Sequence, residues 1–174
     1  DGRSLVDAYG LPIVALHSPF VPDVAGWPAD QLGRLKQTVA LARVVDVPLV
    51  VTHLPFRWYA VTGRWHAFHP RSFKVPVPFP RREPYHRFLQ NGLAAFEAQT
   101  GVTVAVENMP AIRFLGLKLG LYAFNRLEAL YELPNVTLDT THLGTWGMDP
   151  LAVYERLRGR VAHVHLSNFD GREH

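Results

Sequence analysis

Carboxylate and imidazole side chains follow several short apolar runs of this chain. In residues 136–146, VTLDTTHLGTW, the apolar pattern stops at Asp139, and His142 follows three positions later. Such a pair after a buried strand is either a helix cap beside a loop histidine or half of a metal site. Four more side chains of these types end other apolar runs: His17, His53, Glu107 and His165. Together they could bind a divalent cation and transfer protons.

The apolar runs that precede these side chains have the length and the Val content of β-strands. They cover residues 11–17, 47–53, 102–108, 135–140 and 161–167. The chain has 15 acidic residues and 9 histidines among 174, roughly one residue in seven, so a chance occurrence at all five strand ends is of order 1 in 10³ or less. This coincidence is the strongest functional signal in the sequence.

Helical patterns separate the predicted strands. They cover residues 29–46, 83–101, 122–133 and 149–159. Asp30 stands near the first helix start, Gly101 is a good C-terminal cap for the second helix, and Asp149 with Pro150 begins the fourth. Alternating strands and helices predict a parallel α/β fold, either an open doubly wound sheet or part of an eight-stranded barrel.

Side-chain alternation favours the barrel. In residues 102–107 the residues that share a face with Glu107 are Thr103 and Ala105, while the three valines point the other way. Small and polar residues beneath a carboxylate suit a barrel interior near its mouth. Because a parallel barrel gathers the carboxyl ends of its strands around one axis, we expect the five strand ends to converge on one pocket.

Composition limits the class of protein. The 174 residues with 48% hydrophobic content suit one domain over residues 1–174, or part of one, and the absence of cysteine restricts a metal site to nitrogen and oxygen ligands. No apolar run is long enough to cross a membrane and no signal peptide is recognisable, so we expect a cytoplasmic protein. A net charge of +3 permits anionic ligands but is modest for a nucleic-acid-binding arm. The chain lacks an initiator Met and stops after a strand-like run, so we expect a fragment of a longer protein.

Residues 54–82 interrupt the strand–helix rhythm with a segment rich in aromatic, proline and basic residues. Because this segment follows the carboxyl end of a strand, we expect a lid-like loop insertion over the pocket. Arg57 could hold a substrate phosphate, and Trp58 could stack on a sugar or a base. Trp146, with Tyr122 and Phe114, would add to the same wall. The alternative is a hydrophobic cover with solvated charges.

Five motifs, LHSPF, VVTHLP, AVENMP, LDTTH and HVHLSN, resemble strands two to six of the xylose isomerase-like TIM barrel superfamily. That group includes sugar isomerases and epimerases, inosose dehydratases and the family 2 apurinic/apyrimidinic endonucleases exemplified by endonuclease IV. The resemblance covers nearly the whole chain. It implies an α/β fold of the (β/α)8 TIM barrel type, here an incomplete fragment that lacks strands one, seven and eight.

The resemblance also implies a set of metal ligands. Positions that bind a divalent ion in much of the superfamily match Glu107, Asp139 and His165, with a fourth ligand, a Glu, beyond the end of this chain. Extra ligands of the trinuclear zinc site of the endonucleases match His17, His53, His142 and, in the tail FDGREH, His174. The tail departs from the endonuclease pattern because Arg172 stands where an Asp is expected, and we assign Arg172 to substrate binding.

Two enzyme classes are compatible with this set. We favour a sugar or sugar-phosphate isomerase or epimerase that uses one Zn²⁺, Mn²⁺, Mg²⁺ or Co²⁺ ion to stabilise an enediolate, with Glu107 and His142 as catalytic residues. Asn108 would orient the carboxylate or contact the substrate, and His163 would be a hydrogen-bonded interior residue. The alternative is a zinc-dependent phosphodiesterase with up to three ions that acts on abasic DNA.

The endonuclease motifs are only partly present, which is why the isomerase class is preferred. AVENMP lacks the Thr-Ala-Gly continuation of the endonucleases, and LDTTH lacks the usual Cys before His. A non-enzymatic alternative is an incomplete barrel that neither folds nor retains metal.

Overall fold

The computed structural model describes residues 8–20, 24–64, 72–78 and 84–169, and in 58–64 and 72–78 it describes the backbone only. The strands are β1 (Leu16–His17), β2 (Leu49–His53), β3 (Trp58–Arg64), β4 (Ser72–Pro78), β5 (Thr103–Glu107), β6 (Ala111–Phe114), β7 (Leu117–Gly120), β8 (Val136–Asp139) and β9 (Val161–His165). The helices are α1 (Gln31–Val44), α2 (Pro84–Asn91), α3 (Leu93–Thr100), α4 (Leu127–Tyr131), α5 (Thr140–Trp146) and α6 (Pro150–Leu157).

A parallel sheet of five strands in the order β1-β2-β5-β8-β9 organises the described residues. Helices occupy each connection between neighbouring strands of this sheet, as a parallel α/β fold requires. The pairing brings His53 opposite Glu107 and Asp139 opposite His165. The predicted α/β fold is therefore confirmed, and the register alone places four of the candidate side chains in neighbouring pairs.

The main apolar core lies between one face of this sheet and the helices. Val104 and Val106 of β5 pack in this core, as do Val136 and Leu138 of β8. The opposite face carries Glu107 and other buried residues that are small or polar, such as Ala105 and Thr137. The alternation predicted from the sequence is confirmed, and it directs the carboxylates away from the apolar core.

Local sequence signals explain most helix ends. The Asp30 side chain accepts a hydrogen bond from the Gly33 backbone N–H at 2.7 Å and begins α1, and Asp149 begins α6 with Pro150 in the first turn. Gly101 ends α3 with a left-handed φ of 70°, which a side chain would strain.

Three predicted elements were too long. Residues 83–101 form two helices, α2 and α3, which are interrupted at Gly92. Residues 122–133 are helical only in α4, because Phe124 has a φ of 61° and the Asn125 side chain binds the Met109 backbone before the helix begins. Residues 11–17 form a strand only at Leu16 and His17, and β1 pairs only with β2 in the described part of the chain.

Two antiparallel hairpins were not predicted. Within the segment expected to be a lid-like loop, β3 pairs with β4 from Trp58 opposite Pro78 to Arg64 opposite Ser72. The second hairpin pairs β6 with β7 around Leu115 and Gly116, which both have positive φ. The hairpins follow the carboxyl ends of β2 and β5, so both leave the sheet at the edge where the candidate side chains lie. Among the described residues, no helix is long and apolar enough to cross a membrane.

Candidate metal centre

Glu107 lies at the centre of the candidate site and is only 2% exposed. Its Oε1 atom lies 2.9 Å from Nδ1 of His165 and 3.5 Å from Nδ1 of His142. Its Oε2 atom lies 3.3 Å from Nε2 of His53 and 3.4 Å from Nε2 of His17. Four imidazole rings from four different segments of the chain therefore surround one buried carboxylate.

Asp139 both caps a helix and faces this cluster. Its Oδ1 atom accepts a hydrogen bond from the His142 backbone N–H at 2.8 Å, which begins α5 directly after β8. Its Oδ2 atom lies 3.5 Å from Nδ1 of His165. The two interpretations of VTLDTTH are thus compatible, because one oxygen serves the helix while the other faces the candidate site.

Asn108 fixes the position of Asp139. Its Oδ1 atom accepts the Asp139 backbone N–H at 2.7 Å, and its amide group donates to the Asp139 carbonyl oxygen at 3.2 Å. These bonds link β5 and β8 where their regular pairing ends. Asn108 therefore holds the backbone of Asp139. Its predicted orientation of the Glu107 carboxylate and its substrate contact stay predictions.

Burial and neighbouring rings set the charge of the site. Burial raises the pKa of the Glu107 carboxyl group, but the His17 hydrogen bond and the charges of the other three rings outweigh it and lower that pKa to about 2. Burial lowers the pKa of His53 to about 4. His53 is then neutral at pH 7, so the hydrogen bond with His17 contributes more to keeping the Glu107 carboxyl group ionised. The same hydrogen bond raises the pKa of His17.

The hydrogen bond to the outer nitrogen of the His17 ring is compatible with a cation site. Nδ1 of His17 lies 3.0 Å from the Ser18 carbonyl oxygen, so its N–H donates there and, in the neutral ring, the lone pair is on Nε2. That Nε2 atom faces the ionised Glu107 carboxylate. The Nε2 lone pair and the Glu107 Oε2 atom, 3.4 Å apart, are both acceptors, so a proton or a cation is required between them. In His142 the nitrogen nearest Glu107, Nδ1, itself lies 2.7 Å from the Asn108 carbonyl oxygen, so this ring does not repeat the His17 arrangement.

The donor atoms also have suitable spacing for one or two ions. Donors bound to one ion at the usual 2.0–2.2 Å lie about 3.0–3.4 Å apart at angles between 90° and tetrahedral, which is close to the Glu107–histidine distances. Two donor groups have ligand atoms within 4.8 Å of one another: His17, His53 and Glu107, and Glu107, Asp139 and His142. The residues present therefore fit a divalent metal ion held by nitrogen and oxygen.

The functional roles of the other predicted site residues stay predictions, and the structure gives the positions of some of them. The Trp146 indole N–H donates to the Met109 carbonyl oxygen at 3.0 Å, so its substrate contact stays a prediction. Arg57 is exposed and its backbone N–H donates to the Leu121 carbonyl oxygen. The Trp58 side chain, Arg172 and His174 lie outside the described residues. His163 is part-exposed, and its ring contacts that of His165 edge-on at 5.2 Å.

Two phenylalanines near the cluster were not singled out from the sequence. The Phe20 ring lies edge-on to His53 with centroids 4.6 Å apart, and it lies 5.5 Å from the Phe56 ring. The signal was present, since His17 and His53 each begin a His-x-Pro-Phe sequence, HSPF and HLPF.

Relatives by sequence cover almost all of this chain. No family model matches it. An uncharacterised protein of Mycobacterium leprae is 25% identical over 191 residues, and one of Mycobacterium tuberculosis is 26% identical over the same length. Both alignments cover 97% of this chain and 59% of the relative, so the chain spans less than two thirds of these proteins.

Solved structures with a similar fold include an epimerase and a probable dehydratase. They include the 3-keto-D-glucoside 4-epimerase of E. coli (TM-score 0.59, 15% identity, 95% of this chain and 62% of that chain). They also include the probable 3-DHS dehydratase AsbF of Bacillus anthracis (TM-score 0.56, 17% identity, 96% and 54%). At these identities the likeness shows the fold alone, that of a TIM barrel, and this chain spans part of such a barrel.

Proposed function

We propose that this chain carries the metal site of a divalent-metal-dependent sugar or sugar-phosphate isomerase or epimerase. The observation that supports the proposal is the buried Glu107 carboxylate, which four imidazole nitrogens approach to within 2.9–3.5 Å. The epimerase among the structurally similar enzymes lends further support.

Glu107, Asp139 and His165 would hold the principal ion. Their donor atoms come from three adjacent strands, β5, β8 and β9, whose pairing fixes the spacing. Zn²⁺, Mn²⁺, Mg²⁺ and Co²⁺ all accept nitrogen and oxygen donors. Such an ion, when bound, polarises a carbonyl group and stabilises the enediolate charge that follows proton removal.

Glu107 and His142 are the proposed proton carriers. Glu107 is ionised at pH 7, since its pKa lies at about 2, and it can therefore accept a proton only as a weak base. In neutral His142 the Nδ1–H donates to the Asn108 carbonyl oxygen, which fixes the ring and leaves Nε2 as the basic nitrogen. In the proposed reaction these two groups remove a proton from one carbon and return it to another position.

Proton exchange with solvent tests this proposal. The metal-loaded protein should incorporate deuterium from D₂O next to the carbonyl of a 3-keto-D-glucoside, detected by NMR. Glu107→Gln should slow the incorporation by about 10²–10⁴-fold, the usual contribution of an acid–base group. The matched control is Glu155→Gln, because Glu155 lies exposed on α6 and pairs with Arg158. Exchange that is equally fast in both variants would refute the role of Glu107.

The second donor group supports a second candidate, the zinc-dependent phosphodiesterase. His17 and His53 both lie beside Glu107 Oε2 and could hold a further ion. Elemental analysis of the wild type and of a His17→Ala, His53→Ala double variant separates the two functions. About three zinc ions, with loss on mutation, would favour cleavage of abasic DNA. One ion that survives the double mutation favours the isomerase or epimerase.

A further inference from the structure

His53 differs from two neighbouring rings in how it is held beside Glu107. Nδ1 of His17 lies 3.0 Å from a backbone carbonyl oxygen, and Nδ1 of His142 lies 2.7 Å from another. Nε2 of His53 lies 3.3 Å from Oε2 of Glu107, but within the described part of the chain no hydrogen bond holds Nδ1 of this ring. The rings of Phe20 and His17 pack against it, both with centroid distances of 4.6 Å. The position of the His53 ring therefore depends on packing and on the backbone that carries it.

Two helices bind the backbone carbonyl oxygen of His53, which is the last residue of β2. The amide group of Gln31, the first residue of α1, donates to this oxygen at 2.9 Å. The hydroxyl group of Tyr85, in the first turn of α2, donates to the same oxygen at 2.9 Å. Because a carbonyl oxygen has two lone pairs, these two bonds use its full acceptor capacity. The end of β2 is therefore fixed both by the helix that precedes it and by the helix that follows it.

The Tyr85 hydroxyl group is itself fixed inside the protein. Tyr85 is 2% exposed and packs in the main apolar core, and burial raises its pKa, so the hydroxyl group keeps its proton. Its oxygen lies 3.0 Å from Oγ1 of Thr52, which is also buried. Since the single proton of Tyr85 is donated to His53, the Thr52 hydroxyl group donates to Tyr85. A phenylalanine would fill the same volume, so the hydroxyl group contributes only these bonds at the end of β2.

The two oxygen atoms of Glu107 have different neighbours. Oε1 lies 2.9 Å from Nδ1 of His165, a proposed ligand of the principal ion, whereas Oε2 lies 3.3 Å from Nε2 of His53. A neutral imidazole carries one proton, and the carboxylate is the acceptor that Nε2 of His53 faces, so this proton belongs on Nε2. It then stabilises the charge on Oε2 and leaves Oε1 on the side of His165.

We propose that Tyr85 and Gln31 are positioning residues of the metal centre, which hold the His53 backbone so that the ring orients the Glu107 carboxylate for ion binding. In this arrangement His53 is a donor to Glu107 and not a ligand of the ion. The inference rests on the metal centre of the proposed function. It differs from a purely structural role of the two bonds, because the loss of either bond should affect the ion only through His53.

A double-mutant cycle on zinc affinity tests the inference. Tyr85→Phe should weaken Zn²⁺ binding about tenfold in calorimetric titration, the lower end of the effect of groups that orient metal ligands. In the His53→Gln background the same substitution should change the affinity less than about twofold, because no imidazole remains to be positioned. Gln31→Leu should give the same pattern, and it replaces Tyr85→Phe in the cycle if that variant does not fold.

Two control variants remove similar bonds that do not involve β2. Thr38→Val removes a buried hydroxyl bond to the Arg34 carbonyl oxygen at 2.9 Å, and Gln37→Leu removes an amide bond to that of Gly26 at 3.1 Å. Both residues lie on α1, and both variants should retain the zinc affinity of the wild type. A loss in Thr38→Val as large as that in Tyr85→Phe would mean that general loosening weakens binding, and the inference would be wrong.

The proton on the His53 ring gives a second readout that needs no activity. Long-range ¹H–¹⁵N NMR correlations should place the proton on Nε2 in the metal-free and in the zinc-loaded protein. A proton on Nδ1, zinc bound to Nε2, an equal effect of Tyr85→Phe in both backgrounds or a wild type without Zn²⁺ binding would each overturn the inference.

Deuterium exchange on the same samples separates this test from that of the proposed function. Metal-dependent exchange without coupling between Tyr85 and His53 would refute the inference and leave the function standing. Coupling in zinc affinity without exchange would do the reverse.

Discussion

His53 stays neutral at pH 7 because burial lowers its pKa to about 4. A histidine whose folded pKa lies below its unfolded value of 6.5 stabilises the fold above pH 6.5, and this stabilisation is lost as the pH falls toward 4. We therefore expect the metal-free protein to lose about 2 kcal/mol of unfolding free energy between pH 7 and pH 5 through this residue. Urea unfolding at the two pH values measures the loss, which should be much smaller in His53→Gln.

His17 supplies the control of opposite sign. Its pKa is raised, first by the hydrogen bond to Glu107, so its stabilisation is present below pH 6.5 and is lost as the pH rises through the raised value. His17→Gln should therefore make the metal-free protein more sensitive to acid, not less. Parallel pH curves for the wild type and His53→Gln would show that burial of His53 is not the source of the acid sensitivity.

At the scale of strands and helices, two asparagine side chains each bind the backbone N–H and carbonyl oxygen of one other residue. Their replacement should have different consequences. Asn108→Ala leaves the buried N–H and carbonyl groups of Asp139 without their partner, which should cost about 2–4 kcal/mol in urea unfolding. It should also weaken metal binding by about 10–100-fold, because Asp139 is no longer held toward the site.

Asn125→Ala is the matched comparison. Asn125 binds the backbone N–H and carbonyl oxygen of Met109 at 2.8 and 2.7 Å, but it contacts no predicted metal ligand in the described residues. This variant should lose stability and retain the metal affinity of the wild type. Equal loss of metal affinity in the two variants, measured by calorimetric titration, would mean that general loosening and not the position of Asp139 governs binding.

At this same scale of strands and helices, the sequence predicted elements where the local signal was strong. The strands β2, β5, β8 and β9 lie within their predicted runs, because apolar alternation is a local feature. Capping is local too: α6 begins at its predicted cap Asp149, and α1 begins directly after Asp30, which was expected near its start. The shortened helix near Phe124 was not predictable, because Asn125 binds Met109, a residue 16 positions earlier.

Two further features show why the site was only partly predictable. Hairpin β6–β7 turns at Leu115, which has a φ of 48° that a leucine rarely adopts, so the residue types at this position did not predict the turn. The convergence of Glu107 with the histidines followed from barrel topology, whereas the contact of Phe20 with His53 depends on loop paths that Arg34 fixes through backbone carbonyls.

At the scale of the whole described chain, β9 carries apolar side chains at its outward positions. In the described residues β9 pairs only with β8, and its outward positions include Val164, 42% exposed, followed by Leu166, 85% exposed. His163 and His165 occupy the alternate positions, opposite Thr137 and Asp139. Exposed apolar side chains at a strand edge favour self-association, so the 174-residue chain studied alone should associate through this face and bind metal through the other.

Substitution on the outward face separates these two properties. Val164→Thr combined with Leu166→Ser should shift the concentration dependence of the molar mass, measured by light scattering after gel filtration, toward the monomer. Zinc binding should persist because His165 and its contact with Glu107 are untouched. Leu115→Ser is the control, since Leu115 is 87% exposed at a hairpin tip away from β9. If Leu115→Ser reduces association as strongly as the double substitution, general surface hydrophobicity and not the β9 edge causes it.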